Sequence, residues 1–174
     1  NLFGENHSST ATSYNNLASL YENLGDLKKA EEYHLKSMKI RLNLFGENHS
    51  STATSYNNLA LLYENLGDLK KAEEYYLKSM KIRLSLFGEN HSDTASSYNN
   101  LGSLYVDLGD LKKAEEYYLK SMKIRLWLFG ENHSDTASSY NSLGSLYNNL
   151  GDLKKAEEYY LKSMNIWVSL FGEN

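Results

Sequence analysis

Residues 1–42 read NLFGENHSSTATSYNNLASLYENLGDLKKAEEYHLKSMKIRL, and residues 43–84 repeat them with two changes, Ser19 becoming Leu61 and His34 becoming Tyr76. The same pattern returns with further substitutions over 85–126 and 127–168, and residues 169–174 begin a fifth copy. Two glycine series mark the period: Gly4, Gly46, Gly88, Gly130 and Gly172, then Gly25, Gly67, Gly109 and Gly151. A strict period of this size means stacked supersecondary units that bury their apolar faces on one another, not a domain around one central core.

Within one unit, Ser8 or Ser9 is expected to cap a first helix from about Thr10 to Asn23. Gly25 can take the left-handed conformation that ends it, and Asp26 caps a second helix starting at Leu27. The next stop signal is Gly46, so the second helix runs close to 19 residues. Two helices joined by so short a turn pack antiparallel.

At 100° per residue, Ala11, Tyr14, Leu17, Ala18, Leu20, Tyr21 and Leu24 share one arc of the first helix. Its other arc, with Thr12, Asn15, Asn16, Ser19, Glu22 and Asn23, is polar and nearly uncharged. The second helix has a narrow charged stripe of Lys28, Lys29, Glu32, Lys36 and Lys39. The rest of it is apolar over more than half its circumference, so it must be covered by its own partner helix and by the next unit.

The order Tyr14, Leu17-Ala18, Tyr21, Gly25, Ala30 and His34, repeated as Tyr98, Leu101-Gly102, Tyr105, Gly109, Ala114 and Tyr118, resembles a tetratricopeptide repeat. The Leu-Phe-Gly-Glu-Asn-His linker and Tyr56-Asn57-Asn58-Leu59-Ala60-Leu61-Leu62-Tyr63 are similar to the 42-residue kinesin-light-chain-like type. This chain departs from the pattern at Ser37 and its copies. It also has Leu42, Leu84, Leu126 and Val168 in place of a closing proline, and His49-Ser50 in place of His-Pro. The resemblance implies an all-α, right-handed solenoid of antiparallel helical hairpins, a single array of units 1–42, 43–84, 85–126 and 127–168 with the partial fifth at 169–174.

It also implies a non-enzymatic scaffold that binds an extended peptide on the concave surface of the first helices. The implied groove is Asn15, Asn16 and Ser19, then Asn57, Asn58 and Leu61, then Asn99, Asn100 and Ser103, then Asn141, Ser142 and Ser145. An asparagine side chain offers a donor and an acceptor, which suits peptide main-chain amides. No cation stands at Thr12, Asn15, Asn16 or Ser19, which argues against a carboxylate clamp. Glu22 and Glu64, followed by Val106 and Asn148, would bias the first two units toward basic peptides. The alternative is a structural module whose ends associate head to tail, through Leu2, Phe3, Trp167, Leu170 and Phe171.

Other chemistries find little support. The chain has no cysteine, and a net charge of −4 is the wrong sign for a nucleic-acid binder. No apolar run reaches the ~20 residues of a membrane span. His7, His49, His91 and His133 each stand alone in a linker, so capping or packing is expected instead of metal binding. No catalytic constellation or cofactor motif is present, and no enzyme activity is expected. The pattern Asn6-His7-Ser8 and its copies match a glycosylation acceptor, read as coincidence without a secretion signal. The chain lacks an initiating Met and is expected to be a fragment of a cytoplasmic protein. Its near-identical copies suggest recent duplication or consensus-style engineering.

Overall fold

The computed structural model describes residues 6–172. It forms eight helices: α1 Ser8–Asn23, α2 Leu27–Phe45, α3 Ser50–Asn65, α4 Leu69–Phe87, α5 Ser92–Asp107, α6 Leu111–Phe129, α7 Ser134–Asn149 and α8 Leu153–Phe171. They fall into two compact units, residues 1–86 and 87–174. The fold class is all-α, built from helical hairpins as the repeat requires.

Each turn between paired helices is a Schellman motif. Gly25 sits at φ 76°, its N–H reaches Glu22 O at 3.0 Å, and Asp26 N–H reaches Tyr21 O at 2.9 Å. Asp26 then turns outward and its carboxylate accepts Lys29 N–H at 3.2 Å, capping α2. The same cap recurs at Asp68, Asp110 and Asp152.

The start of the first helix in each repeat differs from expectation. The N-cap is His7, for which capping or packing is expected, and not Ser8 or Ser9; its Nδ1 accepts Ser9 N–H at 3.1 Å. His49, His91 and His133 do the same. Nδ1 is attached to Cγ, so it stands where a capping asparagine would place its oxygen. The ring is also held from behind: Phe45 stacks on His49 at 4.5 Å, and Phe87 and Phe129 repeat this on His91 and His133 at 4.4 Å. The serine becomes the first helical residue, which lengthens the helix by two residues over the expected start.

Inside a hairpin, the tyrosines form a ladder. Tyr33 of α2 stacks on Tyr21 at 5.5 Å and tilts against Tyr14 at 5.8 Å, both on α1. Lys29 lies over the Tyr21 ring at 5.0 Å and Lys36 over Tyr33 at 5.1 Å, so part of the charged stripe covers aromatic faces. Ser37, the departure from the family pattern, donates to Ala11 O at 2.7 Å, and Ser79 donates to Ala53 O at 2.8 Å. A hydroxyl thus fastens the late second helix to the early first one where a smaller side chain would only pack.

Between hairpins, α2 packs on α3 in the first unit and α6 on α7 in the second. Leu59 and Leu62 of α3, with Leu143 and Leu146 of α7, are buried there. Arg41 of α2 donates to Ser51 O at 3.3 Å and Ser55 Oγ at 3.0 Å, and Arg125 of α6 makes the same bonds to Asp135 O and Ser139 Oγ. Burial holds both guanidinium groups somewhat below their ordinary range. Tyr63 donates to Glu31 and Tyr147 to Glu115 across the same junctions. Burial, reinforced by those hydrogen bonds, pushes both phenols far up.

Candidate functional site

The expected groove residues all lie on the first helix of their repeats. Asn16, Ser19, Leu61, Asn141 and Ser145 are exposed, while Asn15, Asn57, Asn58, Asn99, Asn100, Ser103 and Ser142 are half-buried. Helical spacing carries Asn16 to the side away from the buried Ala11 and Ala18, whereas Asn15 lies within about 60° of both, beside the packed face. None of these side chains carries a formal charge.

The asparagines do more than line it. Asn58 Nδ2 donates to Asn15 Oδ1 at 2.7 Å, so neighbouring first helices in the first unit are tied side chain to side chain. That bond uses one donor of Asn58 and the acceptor of Asn15, which leaves the Asn58 oxygen and the Asn15 amide nitrogen outside it. The second unit lacks the tie. Ser142 stands where the copy of Asn58 would be, and its hydroxyl turns to Ser138 O at 3.2 Å. Asn99 Oδ1, the copy of the Asn15 acceptor, is shielded from solvent with no hydrogen-bond partner. Sequence reading treats the ladder as a display of amides, because pattern alone cannot tell a displayed amide from a paired one.

The carboxylates at the edge of this surface are engaged within their own hairpins. Glu22 Oε1 lies 2.6 Å from His34 Nε2, and Tyr76 donates to Glu64 Oε2 at 2.7 Å. One carboxylate oxygen of each residue expected to bias the first two units toward basic peptides is thus engaged by the second helix of its own hairpin. His34 is buried, and its exchange for Tyr76 keeps the same contact with different chemistry.

The end surfaces are distinct. On α1, Leu17 and Leu20 are 37% and 50% exposed, whereas their copies Leu143 and Leu146 are 0% and 1% exposed. On α8, Tyr160, Leu161, Met164, Val168, Leu170 and Phe171 are all exposed, and Trp167 stacks on Phe171 at 5.5 Å. Two hollows of about 440 and 460 Å³ open on this face, one beside Glu157 and Leu161, the other beside Met164 and Trp167. Leu2 and Phe3 lie outside the described residues. A cleft between linker and second helix occurs in two repeats: one of about 450 Å³ is lined by Glu47, Lys78 and Lys81, and its copy of about 230 Å³ by Glu131, Lys162 and Asn165. Among the described residues no group of three or more His, Asp or Glu is placed to hold a metal ion. No described helix is long and apolar enough to cross a membrane.

The tetratricopeptide repeat pattern matches residues 9–85, 51–126 and 93–167, in overlapping pairs of repeats that together span nearly the whole chain. The chain belongs to the tetratricopeptide repeat family. Among solved structures it is similar to BtubC (BKLC) from P. vanneervenii, with 31% identity and a TM-score of 0.84. That match covers 94% of this chain and 65% of BtubC, so this chain spans a little less than two thirds of its relative. A Podosopora anserina kinesin light chain with nearly identical TPR-like repeats matches at 21% identity and a TM-score of 0.81, covering 98% of this chain and 81% of that one. A single-substitution form of that protein gives 22% identity and the same TM-score, over 95% of this chain and 78% of that one. These likenesses agree with the 42-residue kinesin-light-chain-like type and the hairpin repeat fold. Among curated proteins none matches. Members of the family are generally protein-interaction scaffolds.

Proposed function

We propose that this chain is a non-enzymatic scaffold whose first-helix surface binds an extended peptide. The observation that carries the proposal is the uncharged, amide-rich face itself. Asn16 and Ser19 stand exposed on α1, and Asn141 and Ser145 on α7. Leu61, 42% exposed where the other repeats carry serine, supplies one apolar anchor for a ligand side chain. The absence of a cation among Thr12, Asn15, Asn16 and Ser19 favours main-chain recognition over capture of a terminal carboxylate.

The test is selection of binding peptides from a random library, followed by titration against a variant carrying Asn16→Ala, Leu61→Ser and Asn141→Ala. These side chains are exposed and outside the Asn15–Asn58 tie, so helix content is expected to be unchanged. Loss of about 1.4 kcal/mol or more, a tenfold weaker Kd, supports the assignment. Unchanged affinity places the ligand elsewhere. A second reading is favoured by the exposure of Leu17, Leu20 and the apolar side of α8: the ends associate head to tail.

A further inference from the structure

The chain contains two worked examples of how a second helix receives the first helix of the next repeat. In both, two leucines of the incoming helix are buried, a tyrosine donates to a glutamate on the receiving helix, and an arginine donates to a carbonyl and a serine hydroxyl. Helix α1 carries the same incoming set: Leu17, Leu20, Tyr21 and Ser13 match Leu143, Leu146, Tyr147 and Ser139. Helix α8 carries the receiving set: Glu157, Leu161 and Met164 match Glu115, Leu119 and Met122. Every one of these α1 and α8 side chains that is leucine or methionine is exposed.

Resting on the end-association reading, we propose that α8 receives α1 of a second copy of this chain in the register that α6 receives α7. Leu17 and Leu20 of the second copy fill the hollows beside Leu161 and Met164, and its Tyr21 donates to Glu157. This contact is heterologous, so each copy keeps one free face of each kind and assembly grows stepwise. It is weaker than an internal junction because Trp167 replaces the arginine, leaving the Ser9 carbonyl and Ser13 hydroxyl of the second copy without their donors.

The experiment is sedimentation of the full chain over a wide concentration range, with Leu20→Glu, Met164→Glu and Trp167→Arg variants. The wild type is expected to rise from 19.9 kDa through dimer to longer species. Leu20→Glu and Met164→Glu each weaken association at least about tenfold. Mixed together they form a dimer that stops there, because one supplies an intact α8 and the other an intact α1. Trp167→Arg strengthens association by restoring the two donors. If Trp167→Arg weakens it while the two glutamate variants also do, the ends meet as apolar surfaces without this register, and the inference is overturned while the end-association reading survives. A mixture that fails to dimerise has the same consequence. A wild type that stays monomeric throughout overturns both.

Discussion

Replacing Ser142 by asparagine recreates in the second unit the tie that the first unit already has. The acceptor is in place: Asn99 Oδ1 is shielded and unpartnered, in the position that Asn15 Oδ1 occupies when it receives Asn58 Nδ2 at 2.7 Å. A net hydrogen bond contributes about 0.5–1.5 kcal/mol, and satisfying a shielded acceptor recovers roughly 1–3 kcal/mol of desolvation cost. Against this stand the ordering of a longer side chain, up to about 1 kcal/mol, and loss of the weak Ser142–Ser138 bond. Serine and asparagine have similar helix propensities, so the backbone contribution cancels. The expected gain is about 1 kcal/mol, a rise in Tm of roughly 2–4 °C for a chain of this size. Thermal and urea unfolding followed by circular dichroism measure it, with hydrogen exchange on α5 and α7 to show where it arises. Repeating the substitution in an Asn99→Ala background closes a double-mutant cycle. A gain that persists without Asn99, or a loss of stability in Ser142→Asn alone, refutes the reasoning.

Further outcomes follow from the hairpin and its junctions. Arg125→Met keeps much of the side-chain volume but removes both donors to α7, and is expected to cost about 1.5–3 kcal/mol by urea unfolding. Asp110→Ala uncaps α6 and is expected to lose about 1 kcal/mol, with Asp110→Asn recovering most of it. The bonds from the Lys29 side chain and backbone N–H hold the Asp26 carboxyl below its ordinary value. Its contribution is therefore present above an unfolded value near 3.9 and is lost as pH falls through the lower folded one. An acid titration is expected to show that loss, and Asp26→Asn to remove that part of the pH dependence.

The repeat and its punctuation made the fold legible. Gly25 and Asp26 marked the turn because each does a job few other residues do, a positive φ and an outward carboxylate cap. Two cap candidates stand side by side in the linker: cap statistics, which describe oxygen acceptors, point to Ser8 or Ser9, while for His7 the sequence leaves capping and packing both open. The imidazole takes the cap, braced in the later repeats by phenylalanine. The groove positions were legible as a polar arc. Their pairing was not: whether Asn58 faces solvent or Asn15 depends on the offset between neighbouring first helices, which a helical wheel does not contain. For the same reason Glu22 looked available, although His34, twelve residues away, lies across the turn within hydrogen-bond reach.

The most direct test of peptide binding on the first-helix surface is an amide and side-chain NMR titration of the full chain with a selected peptide. Shifts are expected to concentrate on Asn16, Ser19, Asn57, Leu61, Asn141 and Ser145, with the outer lysines of the second helices little affected. Shifts centred on the linker clefts beside Lys78 and Lys81, or on the α8 face around Met164 and Trp167, would contradict it.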